Sequence, residues 1–306
     1  MEDPIVLVVS AIIGIFIGIL SGLLGIGGGT VMVPLLRVFY NYPALMATGT
    51  SLLAIIPTSV AGAITHIRNK TCVMPIGLAA GLGGAVTSVL GVQLASISPS
   101  WLVMAVAAVI IMYSAYSMLK KARKAPKRTS EAVPVTPAAA APAPVTPVAA
   151  VATGTAAASA GEAPADAPTN KASEPEEQET CSLKRQIILG ALIGCIAGVA
   201  SGYVGVGGGF LMVPLFLNKL NIPMKKASGT SLIAVCILAI PAVMRQFFLG
   251  NVSLIAGLAL AIGAVPGATI GARFVTKIPE RTLRYIFSVF LGVAAVLLIT
   301  RELGLF

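Results

Sequence analysis

Long apolar runs, parted by short polar joints, fill most of the chain. Runs long enough to cross a bilayer lie at Ile5–Leu24, Ala44–Thr65, Val73–Ala95, Trp101–Leu119, Ile187–Val204, Ala227–Met244, Val252–Val275 and Thr282–Thr300. A transmembrane helix needs about 20 such residues. Two shorter runs, Val31–Tyr40 and Phe210–Leu217, each follow a glycine cluster. They are too short to cross alone, so the pattern predicts half-helices or re-entrant pieces there.

The runs repeat. SGLLGIGGGTVMVPLL, from Ser21 to Leu36, returns as SGYVGVGGGFLMVPLF, from Ser201 to Phe216, an offset of 180 residues. ATGTSL at Ala47 reappears as ASGTSL at Ala227, and Gly77, Gly91 and Pro99 recur as Gly257, Gly271 and Pro279. The expected fold is an all-α polytopic membrane protein of two homologous repeats, residues 1–119 and 184–306, with a Gly-broken first helix in each. A duplicated membrane unit with broken helices predicts a secondary transporter whose site lies where the breaks meet.

Residues 120–183 differ in kind: they open KKARKAPKR, continue as Ala/Pro/Thr/Val repeats and close EPEEQE. That composition predicts a disordered tether in water. Charge sets the topology. Lys120, Lys121, Arg123, Lys124, Lys127 and Arg128 at one end of the tether, and Lys184 and Arg185 at the other, put both ends in the cytoplasm. The loop of His66, Arg68 and Lys70 lies inside, and the uncharged Ser96–Ser100 loop outside. In the second half the basic loops, Lys219 with Lys225 and Lys226, then Arg273 with Lys277, Arg281 and Arg284, fall inside at the opposite positions of the repeat. This flip predicts inverted repeats of three full crossings plus a hairpin; the rival count, with each first segment crossing fully, makes the repeats parallel. The start Met-Glu-Asp-Pro has no basic region, which predicts that the first segment is kept.

The chain is 57% hydrophobic and 10% charged with a net charge of +10. The basic residues sit at segment ends, so nucleic acid is not an expected partner. None of the eleven Asp and Glu residues falls inside an apolar run. Cation sites and proton relays in membranes depend on buried carboxylates, which disfavours a metal-cation transporter, a carboxylate pump or an intramembrane aspartyl protease. The one histidine, His66, is expected in a solvated loop, and the four cysteines have no metal or disulfide spacing. No enzyme chemistry, metal or cofactor is expected.

What remains favours an anion. The breaks place Gly27, Gly28 and Gly29, and in the second repeat Gly207, Gly208 and Gly209, at the start of a half-helix. The first amides of a helix lack internal acceptors and carry partial positive charge, a ready site for an oxyanion. Thr50, Ser51, Thr230 and Ser231, in the shared hydroxyl motif, are further candidate ligands, although hydroxyls in membrane helices also bond to the carbonyl one turn back. The ladders Gly14, Gly18, Gly22 and Gly194, Gly198, Gly202 read as packing seams. Arg245, near the end of its run, is expected to snorkel to the interface.

On the duplicated S-G-x-x-G-x-G-G-G-x-x-M-V-P-L run, the A-x-G-T-S-L run and the Gly-rich third span, the chain resembles the sulfite exporter TauE/SafE family. The resemblance covers both hydrophobic halves and leaves out the tether. It implies a plasma-membrane transporter that exports a small sulfur-containing anion, sulfite or an organosulfonate. An anion channel or an uptake carrier for a related oxyanion is the alternative. The partners implied are that anion and the lipid bilayer; a homo-oligomer stays open.

Overall fold

The computed structural model describes residues 4–124 and 175–302, so most of the stretch read as a tether lies outside the described residues. Among the described residues the structure is all helix. The first repeat holds α1 (Pro4–Leu24), α2 (Gly29–Phe39), α3 (Ala44–Arg68), α4 (Met74–Ile97) and α5 (Ser100–Lys124). The second holds α6 (Pro175–Val204), α7 (Gly209–Lys219), α8 (Met224–Phe248), α9 (Leu254–Phe274) and α10 (Glu280–Glu302). Eight of these are long and apolar enough to cross a membrane, and α2 and α7 are shorter. Eleven residues give α2 and α7 a rise of about 16 Å, roughly half of a hydrocarbon core.

The sequence stops both short helices in the same way. Asn41 and Asn221 take left-handed φ of 52° just past their ends, and Tyr42 and Ile222 return an amide to the carbonyls of Leu36 and Phe216. Asparagine tolerates that conformation, and a proline follows to prevent resumption: Pro43 and Pro223 are the N-caps of α3 and α8. Ser10 Oγ, early in α1, meets Tyr40 Oη at the end of α2 at 2.9 Å. The chain therefore doubles back at the first break.

The two repeats interleave. A β-carbon built on Gly14 would lie 2.6 Å from the Leu260 carbonyl oxygen, and Gly18 and Gly22 press in turn on Ala264 and Ala268, so α1 runs parallel to α9. Gly194, Gly198 and Gly202 press on Ala80, Gly84 and Ser88, so α6 runs parallel to α4. The two ladders are packing seams, as their spacing predicts, and each joins one repeat to the other. In contrast α3 and α8 run antiparallel: Gly49 stands against Gln246, Gly62 against Leu232, and Gly229 against His66.

Phe210, Phe216, Phe287, Ile17, Ile26 and Met32 fill the interior, while Phe16, Leu82, Val86, Val109 and Phe248 point outward. So large an apolar exterior suits lipid rather than water. Gly194→Leu drives a side chain into the α4 backbone and is expected to lower the melting temperature of the detergent-solubilised protein by several degrees or to abolish its monodisperse form. Gly292→Ala, in α10 with open space around it, is expected to leave stability unchanged or raise it by up to about 1 kcal/mol.

Candidate functional site

Each break is made by glycines with left-handed backbone. φ is 75°, 83° and 86° at Gly25, Gly27 and Gly28, and 74°, 86° and 63° at Gly205, Gly207 and Gly208. A side chain at such angles is strained. Gly28 and Gly208 are the N-caps of α2 and α7, and neither has a side chain to satisfy the first amides. Among the described residues, the amides of Gly27, Gly28, Gly29, Gly207 and Gly208 have no acceptor, whereas Gly209 N donates to Gly207 O. Pro34 and Pro214 lie inside the two short helices. Each lacks the donor for the carbonyl one turn back, that of Thr30 or Phe210.

The six candidate glycines are buried and come together from both repeats. A β-carbon on Gly29 would lie 2.6 Å from the Val206 carbonyl oxygen, and one on Gly209 2.9 Å from that of Ile26. The start of each half-helix thus rests on the opposite break. Ile55 and Val235, the same position of the two repeats, flank the contact: both stand against Gly27 and against Gly207.

The four candidate hydroxyls brace this contact through main chain. Ser51 Oγ donates to Thr48 O at 2.8 Å and to Gly205 O at 2.6 Å. Ser231 Oγ makes the mirror pair, to Ser228 O at 2.8 Å and Gly25 O at 2.7 Å. Thr50 Oγ1 accepts from Ser253 N at 3.0 Å, and Thr230 Oγ1 from Val73 N at 2.9 Å. Every one of these bonds except the two short intrahelical ones crosses between repeats. In this conformation the Ser51 and Ser231 protons are held by carbonyls, while the amides of Gly27, Gly28, Gly29, Gly207 and Gly208 stay unpartnered.

His66 is not the solvated loop residue that its neighbours Arg68 and Lys70 suggest. The helix α3 continues through it to Arg68, and the ring is fully buried. Its Nε2 lies 2.9 Å from Gly22 O and its Nδ1 2.8 Å from Thr71 Oγ1. A carbonyl only accepts, so Nε2 carries the hydrogen and ties the end of α1 to the end of α3. The repeat offset pairs His66 with Gln246, which is also fully buried and accepts from Asn251 Nδ2 at 3.1 Å. Knowledge of that pairing was the signal available in sequence, since a position filled by Gln in one repeat is a hydrogen-bonding position rather than a titrating one. Arg245 is half-buried and donates to Gln93 Oε1. A cavity of about 530 Å³ opens elsewhere, between α4, α5 and α6, lined by Leu94, Val106, Ile110, Ile196, Val199, Ala200 and Tyr203. Its wall is almost wholly apolar, which suits hydrocarbon and not an oxyanion.

Eight span-length helices, an apolar exterior and two buried, paired helix starts define a multi-pass membrane transporter. The family model described as sulfite exporter TauE/SafE matches residues 10–298. The chain belongs to that family. It is 25% identical over 284 residues to the probable membrane transporter protein YdhB of Bacillus subtilis (strain 168), covering 92% of this chain and 96% of that one. It is 24% identical over 303 residues to YunE of the same organism, also a probable membrane transporter protein, with 93% and 94% covered. A shorter stretch of 93 residues is 31% identical to sulfite exporter TauE/SafE family protein 3 of Arabidopsis thaliana, covering 30% of this chain and 19% of that one. No solved structure matches.

His66→Gln reproduces the second repeat's residue and keeps a donor for Gly22 O. It is expected to retain near-normal melting temperature. His66→Ala orphans that buried carbonyl and leaves a void, and is expected to cost about 2–4 kcal/mol; thermal unfolding of the purified variants compares the two.

Proposed function

We propose that the chain exports a small sulfur-containing anion, sulfite or an organosulfonate, by alternating access, and that the anion binds between the paired breaks. The observation that carries this reading is the meeting of two buried half-helix starts whose glycine amides, all but that of Gly209, have no acceptor among the described residues. Such amides are aimed donors with the positive end of a helix dipole behind them. Two of them hold a compact oxyanion without a full cationic charge. Gly27, Gly28 and Gly29, with Gly207 and Gly208, supply those donors, and the Gly209 amide joins them on leaving Gly207 O. Thr50, Ser51, Thr230 and Ser231 complete the site by fixing the breaks and, when the repeats part, by turning toward the ligand.

The repeats are inverted in the membrane. The antiparallel run of α3 and α8, which are equivalent elements, supports this, as does the return of α2 beside α1 through Ser10 and Tyr40. The loops bearing Arg68 and Lys70, Lys219 and Lys225, and Arg273 and Lys277 then share one face, which the positive-inside rule assigns to the cytoplasm. The end of α5 and the start of α6 fall on that face too, which on this reading is the cytoplasmic side of the plasma membrane.

The serine bonds make the transition inexpensive. One Ser51 proton is shared between Thr48 O on its own helix and Gly205 O on the opposite break. When the breaks separate, the proton falls back to Thr48 O, so no buried donor is orphaned. Ser231 does the same. Export down the membrane potential supplies about 2.3 kcal/mol per charge per 100 mV, and no coupling carboxylate is required.

Labelled sulfite and a short alkylsulfonate in proteoliposomes test the proposal. Saturable efflux is expected, accelerated about tenfold for each 60 mV of favourable potential per net charge carried where translocation of the charge limits the rate. The double variant Gly28→Leu, Gly208→Leu is expected to be inactive; wild-type flux in it removes the proposed site. Flux that rises linearly without saturation favours an anion channel instead.

A further inference from the structure

Two serines that the hydroxyl motif does not include stand in equivalent places at the breaks. Ser21 and Ser201 open the two glycine runs, in the last turns of α1 and α6. Both are fully buried, and the Oγ of each has no hydrogen-bond partner. A β-carbon on Gly28, the N-cap of α2, would lie 3.6 Å from Ser21 Cβ, and one on Gly208, the N-cap of α7, 3.3 Å from Ser201 Cβ. Each unpartnered serine is thus set against the start of a half-helix whose cap amide, that of Gly28 or Gly208, also lacks an acceptor. Thr30, in the first turn of α2, is likewise buried with a free Oγ1. Its counterpart in the second repeat is Phe210.

A hydroxyl in a lipid-buried helix ordinarily bonds to a carbonyl one turn back, because leaving it unpaired in an apolar interior is unfavourable. Most other buried hydroxyls among the described residues follow that rule. Ser51, Ser231, Thr58, Ser59 and Ser88 all donate to main-chain carbonyls. Ser114 is a further buried orphan, but it lies in α5 and its counterpart is Ala294, so it has no place in a paired arrangement. Among the described residues, only at the breaks does the repeat preserve an orphaned hydroxyl in both halves.

We infer that Ser21, Ser201 and Thr30 are substrate-binding residues whose hydroxyls donate to the oxyanion held at the half-helix starts. This rests on the reading of the breaks as the anion site. Amides and hydroxyls then surround the ligand from two directions, the amides along each half-helix axis and the serines from the preceding helix. The site is unequal: the first repeat offers Ser21 and Thr30, the second Ser201 alone, with Phe210 where the first has Thr30. The α2 start is the stronger of the two holds on the charged group.

The test measures binding and stability together, on purified full-length protein, by sulfite and methanesulfonate titration with thermal unfolding as the readout. Ser21→Ala, Ser201→Ala and Thr30→Val are compared with wild type. Without anion, each variant is expected to melt at or above the wild-type temperature, because it removes a buried group that makes no bond. With anion, each is expected to bind about tenfold more weakly, the ordinary effect of losing a hydrogen bond to a charged ligand; Ser21→Ala with Thr30→Val is expected to lose more than Ser201→Ala. Unchanged affinity in all three overturns the assignment while leaving the glycine site standing. A fall in melting temperature without anion also overturns it, since that gives the hydroxyl a structural partner. If neither anion shifts the wild-type melting temperature, the anion reading fails and the assignment falls with it.

Discussion

Inside a bilayer every main-chain polar group must find its partner within the protein. The two breaks strain that rule, because four residues in each leave helical geometry in the middle of an apolar interior. The structure meets the demand reciprocally. The carbonyl just past α1, at Gly25, accepts a hydrogen bond from Ser231, and the carbonyl just past α6, at Gly205, accepts one from Ser51. Neither repeat can complete its own break. The glycine amides beyond those carbonyls, except that of Gly209, are left without an acceptor, and they are the donors of the proposed site.

This dependence reaches the rest of the packing. The glycine ladders of α1 and α6 press their helices onto α9 and α4 of the other repeat, so the ends that carry the breaks are positioned by the partner repeat from outside as well as from within. His66 holds the end of α1 through Gly22 O, while Gln246, its counterpart in α8, bonds Thr48 of α3 across the repeats. A close backbone approach needs glycine, and any side chain there forces helices apart. Rigid inter-repeat pairs surrounding a contact held by shared protons form the kind of assembly in which two packed arrangements can alternate while the pairs themselves stay intact.

Much of this was legible in the sequence. Each span-length helix falls where its apolar run lies, because hydropathy and length alone decide what crosses a membrane. The short helices begin at Gly29 and Gly209 as the glycine runs imply, one or two residues before the first bulky residue. What periodicity does not carry is the partner of each polar atom. Ser51 and Ser231 read equally well as ligands or as helix hydroxyls, and only the folded pairing shows their protons on the opposite break. His66 was misplaced for a similar reason: basic neighbours mark a membrane edge but say nothing of which face of the last helical turn a ring occupies. Ser21 and Ser201 were visible as the first letters of the repeated run, yet an orphaned hydroxyl is a property of surroundings and has no sequence signature.

The proposed site holds an oxyanion between the two half-helix starts. A cryo-electron microscopy map of the protein with selenite, the heavier analogue of sulfite, tests it most directly. The account predicts density within hydrogen-bonding distance of the amides of Gly27 to Gly29 or Gly207 to Gly209, with Ile55 and Val235 beside it. Density bound elsewhere, with the two breaks still closed on one another, would contradict it.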